Sequence, residues 1–522
     1  MKFYWHKYKY FPYEKDLAAR ELISIYGLSP STFSNGLEIQ ADLVPESVFN
    51  LTYFRKVERS EREAYIPLQT LLETSVNGQV SKNKLGVKKQ STRYSAHGIH
   101  EYRGKFNPQL VRAIGNIIGI KTGDWIIDPF CGSGTTLLEA FHNNWNAVGV
   151  DINPLAIEIT KAKIASVTLT ERQLDSFIDG LTSSLTFGTG NLRHSNTIGK
   201  KQGLERVDWK DYLPGFDYLH SWFTQHTLKQ LSIILREIDN LKSEKEKIIA
   251  KVVLSDLVRF ASLQDPYDLR IRRRKDLPKP VNLIKHYVEA LEKRIERVKI
   301  AKTYIAKNTT SQHAFLGDAK KLSELFNGKK HPDMGFDGAI TSPPYATGLP
   351  YIDTDRLSLV VLGLIDAKDI HKTQKSLIGN REITTGEREA TIKAINLNAS
   401  DLPSETMAFC RFLTKSVGKN DGFRRQNVPA VLYKYFLEMA ESFTEIRNVL
   451  KSNSPYALVV GPNKTRLNGR QIIIDTPRLL VDIAISRGFK LIETIELNTY
   501  QRFDIHKNNS IQSESLLILR AD

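Results

Sequence analysis

Cysteine is scarce: the 522-residue chain has two, Cys131 and Cys410. Two thiols cannot build a disulfide framework, nor a structural zinc site on four Cys ligands. Long apolar runs are missing too, and none approaches the about 20 residues a membrane-spanning helix needs. The first residues, Met1-Lys2-Phe3-Tyr4-Trp5-His6, lack the apolar core of a secretion signal. His97 and His100 lie three apart with no further ligand-type residue close by, so no metal site is expected. With a hydrophobic content of 41%, these absences lead us to expect a soluble cytoplasmic protein of two or three domains, with no membrane partner.

Acidic residues are also in deficit, and the net charge is +16. Half of that excess falls between Lys251 and Lys307, where 15 Lys and Arg face 7 Asp and Glu. Its knot is Arg270, Arg272, Arg273, Arg274 and Lys275, for which a polyanion is the natural partner. A run of this kind is also what a simple solvated face looks like.

The pattern along the chain divides it into four parts. Residues 1–90 read as a small α/β domain, a candidate substrate binder. It has a helical stretch, Leu17 to Tyr26, ending at Gly27, then short alternating pieces such as Gly36 to Ile39 and a polar linker from Ser81 to Gln90. Residues 91–165 hold a helix Leu110–Ile118, a strand Trp125–Ile127, a glycine turn, a helix Thr135–Asn143 and a strand Ala147–Val150 ending at Asp151. Strand, glycine turn, helix, strand, acid is the order of a doubly wound sheet. Residues 166–311 form a helical, basic insertion, with helices expected at Thr227–Leu241, Glu244–Ala261 and Val281–Ala306 and the basic knot in the turn between the last two. The sheet resumes in 312–522, with strands at Ala314–Leu316, Phe336–Ile340, Tyr456–Gly461, Lys490–Leu497 and Ser515–Leu519 and helices at Val431–Leu450 and Pro477–Arg487. Leu364–Asn427 is mostly polar, reads ambiguously and is a candidate mobile segment. The fold class expected is α/β, a Rossmann-like doubly wound sheet with a helical insertion and a small N-terminal domain.

Two turns carry the chemistry. Asp128-Pro129-Phe130-Cys131-Gly132-Ser133-Gly134-Thr135-Thr136 follows an apolar strand. Gly132 and Gly134 let the backbone turn sharply and approach a ligand, and the free N–H groups of the next helix suit a carboxylate. No lysine follows the second glycine, which disfavours a phosphate-binding loop, while a nicotinamide-binding or purely structural turn produces the same Gly-x-Gly. The second turn, Thr341-Ser342-Pro343-Pro344-Tyr345, also follows an apolar strand. The Ser342 hydroxyl and the Pro343 carbonyl are two acceptors, the prolines stiffen the turn, and Tyr345 offers an aromatic face. Such a pocket can grip a planar amino group.

Together the turns resemble the S-adenosylmethionine-dependent methyltransferases that modify exocyclic amines of nucleic-acid bases. The serine form most resembles the cytosine-N4 DNA methyltransferases. The likeness covers roughly 91–165 and 312–522 and implies a methyltransferase sheet acting on a flipped base of double-stranded DNA, with a cognate restriction endonuclease as a candidate partner. For the S-adenosyl-L-methionine site it implies a cradle from Pro129, Phe130, Gly132, Gly134 and Thr135. Asp128 would meet the methionine ammonium, Asp151 the ribose hydroxyls and Asp318 the adenine amine. Phe106, in the segment Tyr102 to Leu110 that resembles the covering motif of these enzymes, would pack on the cofactor. Ser342, Pro343, Pro344 and Tyr345 would be catalytic, and the basic insertion, the N-terminal unit, or both would hold the duplex. The chain has no Pro-Cys pair of the kind used to methylate carbon 5 of cytosine. Here the cofactor turn precedes the catalytic turn, an order commoner among adenine-N6 enzymes, whose turn usually begins with Asn or Asp. Adenine N6, a tRNA guanine N2 and a non-catalytic DNA-binding subunit therefore stay open as alternatives.

Overall fold

The computed structural model describes residues 1–522 apart from 42–44, 61–62, 75, 77–89, 191–207, 266–267, 269–270, 275, 277–279, 306–307, 328–334, 347–350 and 499–512. Residues 81–89 of the expected linker, and Arg270 and Lys275 of the basic knot, thus lie outside the described residues.

The short alternating segments near the N-terminus pair into an antiparallel sheet of β1 (Lys2–Trp5), β2 (Ser31–Phe33), β3 (Gly36–Glu38), β4 (Phe54–Ser60) and β5 (Glu63–Tyr65). β1 is central, with Phe3 opposite both Leu37 and Val57. The first helix runs Pro12–Tyr26, starting before the expected Leu17. Pro12 suits a first turn, and the Phe11 N–H donates to Glu14 Oε2 at 2.7 Å, satisfying a donor the helix start would leave open. Gly27, at φ +67°, ends it. Its Leu17, Ala18 and Leu22 share one core with Val111 and Ile114 of the helix Pro108–Ile117 and with Ile126 and Ile340 of the main sheet. Glu21 crosses the same boundary, accepting from Thr52 Oγ1 at 2.6 Å and Asn116 Nδ2 at 2.7 Å. Burial pushes its carboxyl up to about 7.

The main sheet has seven strands: β6 (Trp125–Asp128), β7 (Asn146–Asp151), β8 (Gln312–Leu316), β9 (Gly338–Thr341), β10 (Pro455–Val460), and, beyond a hairpin of β11 (Asn463–Leu467) and β12 (Arg470–Ile474), β13 (Phe489–Asn498) and β14 (Ser513–Ala521). Their order is β13-β14-β10-β9-β6-β7-β8. β10, β9, β6, β7 and β8 are mutually parallel, while β14 runs antiparallel to β10 and β13. Ile126, Ile127, Val148, Val150 and Ile340 are all buried, as a parallel strand covered on both faces requires. From β6 the chain steps outward to β7 and β8, then returns to build β9 and β10 on the other side. The order therefore reverses between β6 and β9, and the crevice at their carboxyl ends is where doubly wound sheets bind ligands.

The insertion is helical as expected, at Glu171–Gly190, Gln225–Asp239, Glu244–Ala261 and Leu283–Lys302. Its apolar faces share a core with the helices Pro154–Thr168 and Tyr351–Val361. The expectation for Leu364–Asn427 is corrected. It forms the helices Ile370–Ser376, Thr385–Leu397, Ser404–Ser416 and Phe423–Gln426. Ile395, Met407, Cys410 and Leu413 are buried in a core with Leu432 and Phe436 of the helix Val428–Val449. Thinly spread apolar residues suffice because each short helix buries one narrow stripe. Among the described residues no helix is long and apolar enough to cross a membrane.

Beneath the crevice, Glu139 on the helix Thr135–His142 is wholly buried. Arg112 Nε donates to its Oε2 at 3.0 Å with Nη2 of the same guanidinium in ion-pair range at 2.9 Å, Tyr94 donates to Oε1 at 2.9 Å, and His97 and His142 reach Oε1 at 2.8 and 3.1 Å. Burial works to raise the Glu139 carboxyl, but Arg112 and His142 outweigh it and hold it low. His97, Glu139 and His142 stand close enough to share a cation, yet the carboxylate is already engaged by these four side chains. The cluster ties the 94–97 segment to two helices. Arg112→Ala, leaving a buried carboxylate without its cation, should destabilise the fold by about 3–5 kcal/mol, read as a lowered thermal or denaturant midpoint.

Candidate functional site

β6 ends at Asp128 and runs into the first turn. Gly132 adopts φ +47° and Gly134 φ +71°, a region that only glycine enters readily. A Cβ on Gly134 would lie 2.4 Å from Thr160 Cγ2, so the next helix starts only because that atom is missing. The Gly132 N–H donates to Asp151 Oδ2 at 2.9 Å and the Asn153 N–H to Oδ1 at 2.8 Å, which anchors the acid at the end of β7 to the turn. Burial pushes the Asp151 carboxyl up to about 6. The Cys131 thiol is raised by burial as well, in keeping with a packed rather than a reacting group. Below the turn the buried Lys163 ammonium donates to the Ser133 carbonyl at 2.5 Å.

The second turn leaves β9 one strand away. Thr341 Oγ1 donates to Asp128 Oδ1 at 2.5 Å, Thr136 Oγ1 to Oδ2 at 2.6 Å, and the Phe130 N–H to Oδ1 at 3.1 Å. Ser342 Oγ donates to the Val459 carbonyl of β10 at 3.2 Å, so its lone pairs stay open to an incoming donor. Tyr345 donates its hydroxyl to Glu514 of β14, which holds the ring against rotation.

One cavity of about 410 Å³ joins the two turns. The sequence-predicted Phe106, Pro129, Phe130, Gly132, Asp151 and Asp318 line it, together with Ser342, Pro343, Pro344 and Tyr345. Asp128, Gly134 and Thr135 are not among its lining residues. Asp128 is 2% exposed and turned toward Thr136 and Thr341, Gly134 is packed on Thr160, and Thr135 is buried. Asp318 accepts from the Lys320 N–H at 3.0 Å while facing the cavity.

Several lining residues escaped the sequence reading. Tyr13 reaches in from the N-terminal helix, Tyr351 from the helix after the Ser-Pro-Pro-Tyr turn, and Glu514 from β14. Nothing in their local sequence marks them, since only the fold brings them here. Lys105 lay inside the predicted covering segment but was passed over. It donates to the Thr92 and His97 carbonyls at 2.9 and 3.1 Å, and burial brings its ammonium down to about 7. Among the described residues the cavity wall thus carries the carboxylates Asp151, Asp318 and Glu514 against one cation, Lys105.

The basic knot lies apart from this cavity, with none of its described residues among the lining. Arg272 is exposed and paired with Asp268 at 3.4 Å, Arg273 pairs with Gln264 in an isolated bridge, and Arg274 donates to the Gln264 carbonyl at 3.1 and 3.2 Å. Arg274 is thereby committed to holding its own loop.

Residues 40–162 match the N6/N4 family model described as DNA methylase. Over 332 residues the chain is 25% identical to the type II methyltransferase M.MjaII of Methanocaldococcus jannaschii, covering 50% of this chain and 61% of that one. It is 24% identical over 431 residues to the type II methyltransferase M.MvaI of Kocuria varians, covering 80% and 86%. A shorter likeness, 31% over 110 residues, covers 19% of this chain and 32% of the tRNA (guanine(10)-N2)-dimethyltransferase of Methanothermobacter thermautotrophicus. The chain is thus distantly similar to methylases of the N6/N4 family, and these likenesses do not separate N4 from N6.

Because Asp128 links both turns, Thr341→Val should cost about 1–3 kcal/mol, leaving a buried carboxylate oxygen short of a donor. Differential scanning calorimetry should show a melting point lowered by a few degrees.

Proposed function

We propose that the chain is a DNA amino-methyltransferase that uses S-adenosylmethionine and modifies the exocyclic amine of a flipped base, cytosine N4 first. The observation that carries this reading is the single cavity in which the glycine turn, Asp151 and the Ser-Pro-Pro-Tyr turn meet. Its 410 Å³ falls in the range of small-molecule sites. The residues present fit the cofactor. Gly132 lines the cavity with no Cβ in the way, a carboxylate at the end of β7 suits a diol, and the acidic wall suits a sulfonium cation. Asp151, Asp318, Phe106 and Phe130 would hold it, with Gly132 as the cradle. When bound, S-adenosylmethionine supplies an electrophilic methyl group.

The chain's own residues then have to present the amine. Its lone pair is delocalised into the base ring, so the nitrogen is a weak nucleophile. Ser342 Oγ, with its hydrogen committed to Val459, accepts from one amine N–H, and the Pro343 carbonyl is the second acceptor. Two such bonds draw the nitrogen toward tetrahedral geometry and return its lone pair. Tyr345, fixed by Glu514, gives the base a face to stack on. Most of the rate would come from positioning. Serine at 342 favours cytosine N4, while the turn order keeps adenine N6 as the next acceptor. The likeness to a tRNA guanine methyltransferase favours a second reading, an RNA guanine amine. A restriction endonuclease of the same site is the companion to look for.

The test is sequencing for modified bases on DNA from cells expressing the protein, beside Ser342→Ala. N4-methylcytosine at one recurrent motif, missing in the variant, is expected. N6-methyladenine would correct the base, and transfer to RNA but not to duplex would move the reading to the tRNA alternative. Ser342→Ala should lower transfer far more than cofactor affinity, and Asp151→Ala should do the reverse; unchanged transfer in Ser342→Ala would remove the acceptor role.

Asp151 also sets a pH dependence. Its carboxyl sits near 6, above the usual carboxylate range, because of burial. The ionised form is the stronger acceptor for both backbone N–H groups and a ribose diol, so the Asp151 contribution to cofactor affinity should be level above about pH 7 and fall by up to about tenfold per unit below 6. Calorimetric titration from pH 5 to 8 reads this, and Asp151→Asn should flatten the profile.

A further inference from the structure

A second cavity of about 1080 Å³ adjoins the first, and the two share Pro344, Tyr351, Leu377 and Ile378 as a common wall. It is framed by the helices Tyr351–Val361, Ile370–Ser376 and Phe423–Gln426 and by β11. Its charge is opposite. Among the described residues Arg356, Lys375, Arg381, Arg424, Arg425 and Lys464 line it against Asp353 and Glu382, six cations to two carboxylates. Glu387 and Asp421, each 3.9 Å from Lys375 and Arg425, bring the carboxylates to four and leave the excess positive.

The polar wall points the same way. Gln374 and Asn380 are 8% exposed and Asn427 is 5% exposed, and all three line this cavity. Gln374 Oε1, Asn380 Nδ2 and Asn427 Oδ1 have no hydrogen-bond partner among the described residues. These three atoms are closed to solvent, so a ligand in the chamber reaches them only when the amide side chains turn toward it, a move that would relieve about 1–3 kcal/mol for each unpaired group. Two acceptors and a donor are the groups that read base edges, while cations meet phosphates. Phe423 at the rim is 56% exposed, with the Arg388 guanidinium 5.9 Å from its ring centre, an arrangement on which a base can stack.

We propose that this chamber holds the DNA next to the flipped base, its arginines and lysines on the phosphodiester backbone and its amides on neighbouring base edges. This rests on the methyltransferase reading and moves the main nucleic-acid contact from the Arg272–Arg274 knot to the helices that follow the catalytic turn.

The test compares the full-length wild type, the triple variant Arg424→Ala, Arg425→Ala, Lys464→Ala, and the knot variant Arg272→Ala, Arg273→Ala. Binding to a short fluorescent duplex of mixed sequence is titrated against salt, and cofactor binding is measured in parallel to confirm that each variant is folded. The triple variant should weaken binding at low salt at least tenfold and make the log–log salt slope shallower by about 2 to 3, with cofactor binding kept. The knot variant should change the slope by less than 1. In cells, Asn380→Ala should relax the methylated motif by roughly ten- to a hundredfold in discrimination. Wild-type binding to duplex with an unchanged triple variant overturns this inference alone. A wild type that binds cofactor but neither binds nor methylates duplex overturns the DNA reading and this inference with it.

Discussion

The site depends on one buried carboxylate. Asp128 ends the central strand β6 and takes hydrogen bonds from Thr136 across its own turn and Thr341 across the crevice. Its oxygens sit where two parallel strands stop pairing and their chains turn away. Without those hydroxyls each strand end would leave polar groups in a dry crevice, a cost that selects this arrangement over looser ones. Burial raises the Asp128 carboxyl to about 6, while the same hydroxyls and the Phe130 N–H pull it back toward the ion. The distance between the glycine turn and the Ser-Pro-Pro-Tyr turn is set here, before any ligand arrives.

Around that tie the walls are borrowed from distant parts of the chain. The N-terminal unit shares its core with the main sheet, and its first helix delivers Tyr13 to the cavity. β14, inserted antiparallel between β10 and β13, delivers Glu514 to hold Tyr345. The helices after the Ser-Pro-Pro-Tyr turn close the other side with Tyr351 and Leu377. The resulting chambers differ in sign, acidic toward the glycine turn and basic toward Phe423. The field among the described residues therefore changes sign across Pro344.

Much of this was legible in the residues because parallel strands buried on both faces must be nearly continuous apolar runs. Trp125–Ile127, Ala147–Val150 and Tyr456–Val460 announce themselves in that way. The glycine turn was legible because its left-handed backbone excludes other residues. Leu364–Asn427 was not, since short helices with wide polar faces leave little period to detect. The β11–β12 hairpin was missed although its turn carries Asn468-Gly469, both at positive φ, a strong hairpin signal. Asp128 carried no local mark that would tell a ligand-facing acid from a strand tie.

Taken alone, the residues determined the sheet's strands and the two turns, because each rests on contacts within a few positions. Tertiary structure alone decided which acids face the cavity, that the N-terminal unit belongs to its wall, and that the cations of the adjoining chamber come from residues 356–464 rather than the densest basic run. Charge density along a chain counts neighbours in sequence. The field at a site depends on neighbours in space, and there Arg274 spends its guanidinium on a carbonyl of its own loop while Arg424 and Arg425 stand beside the crevice.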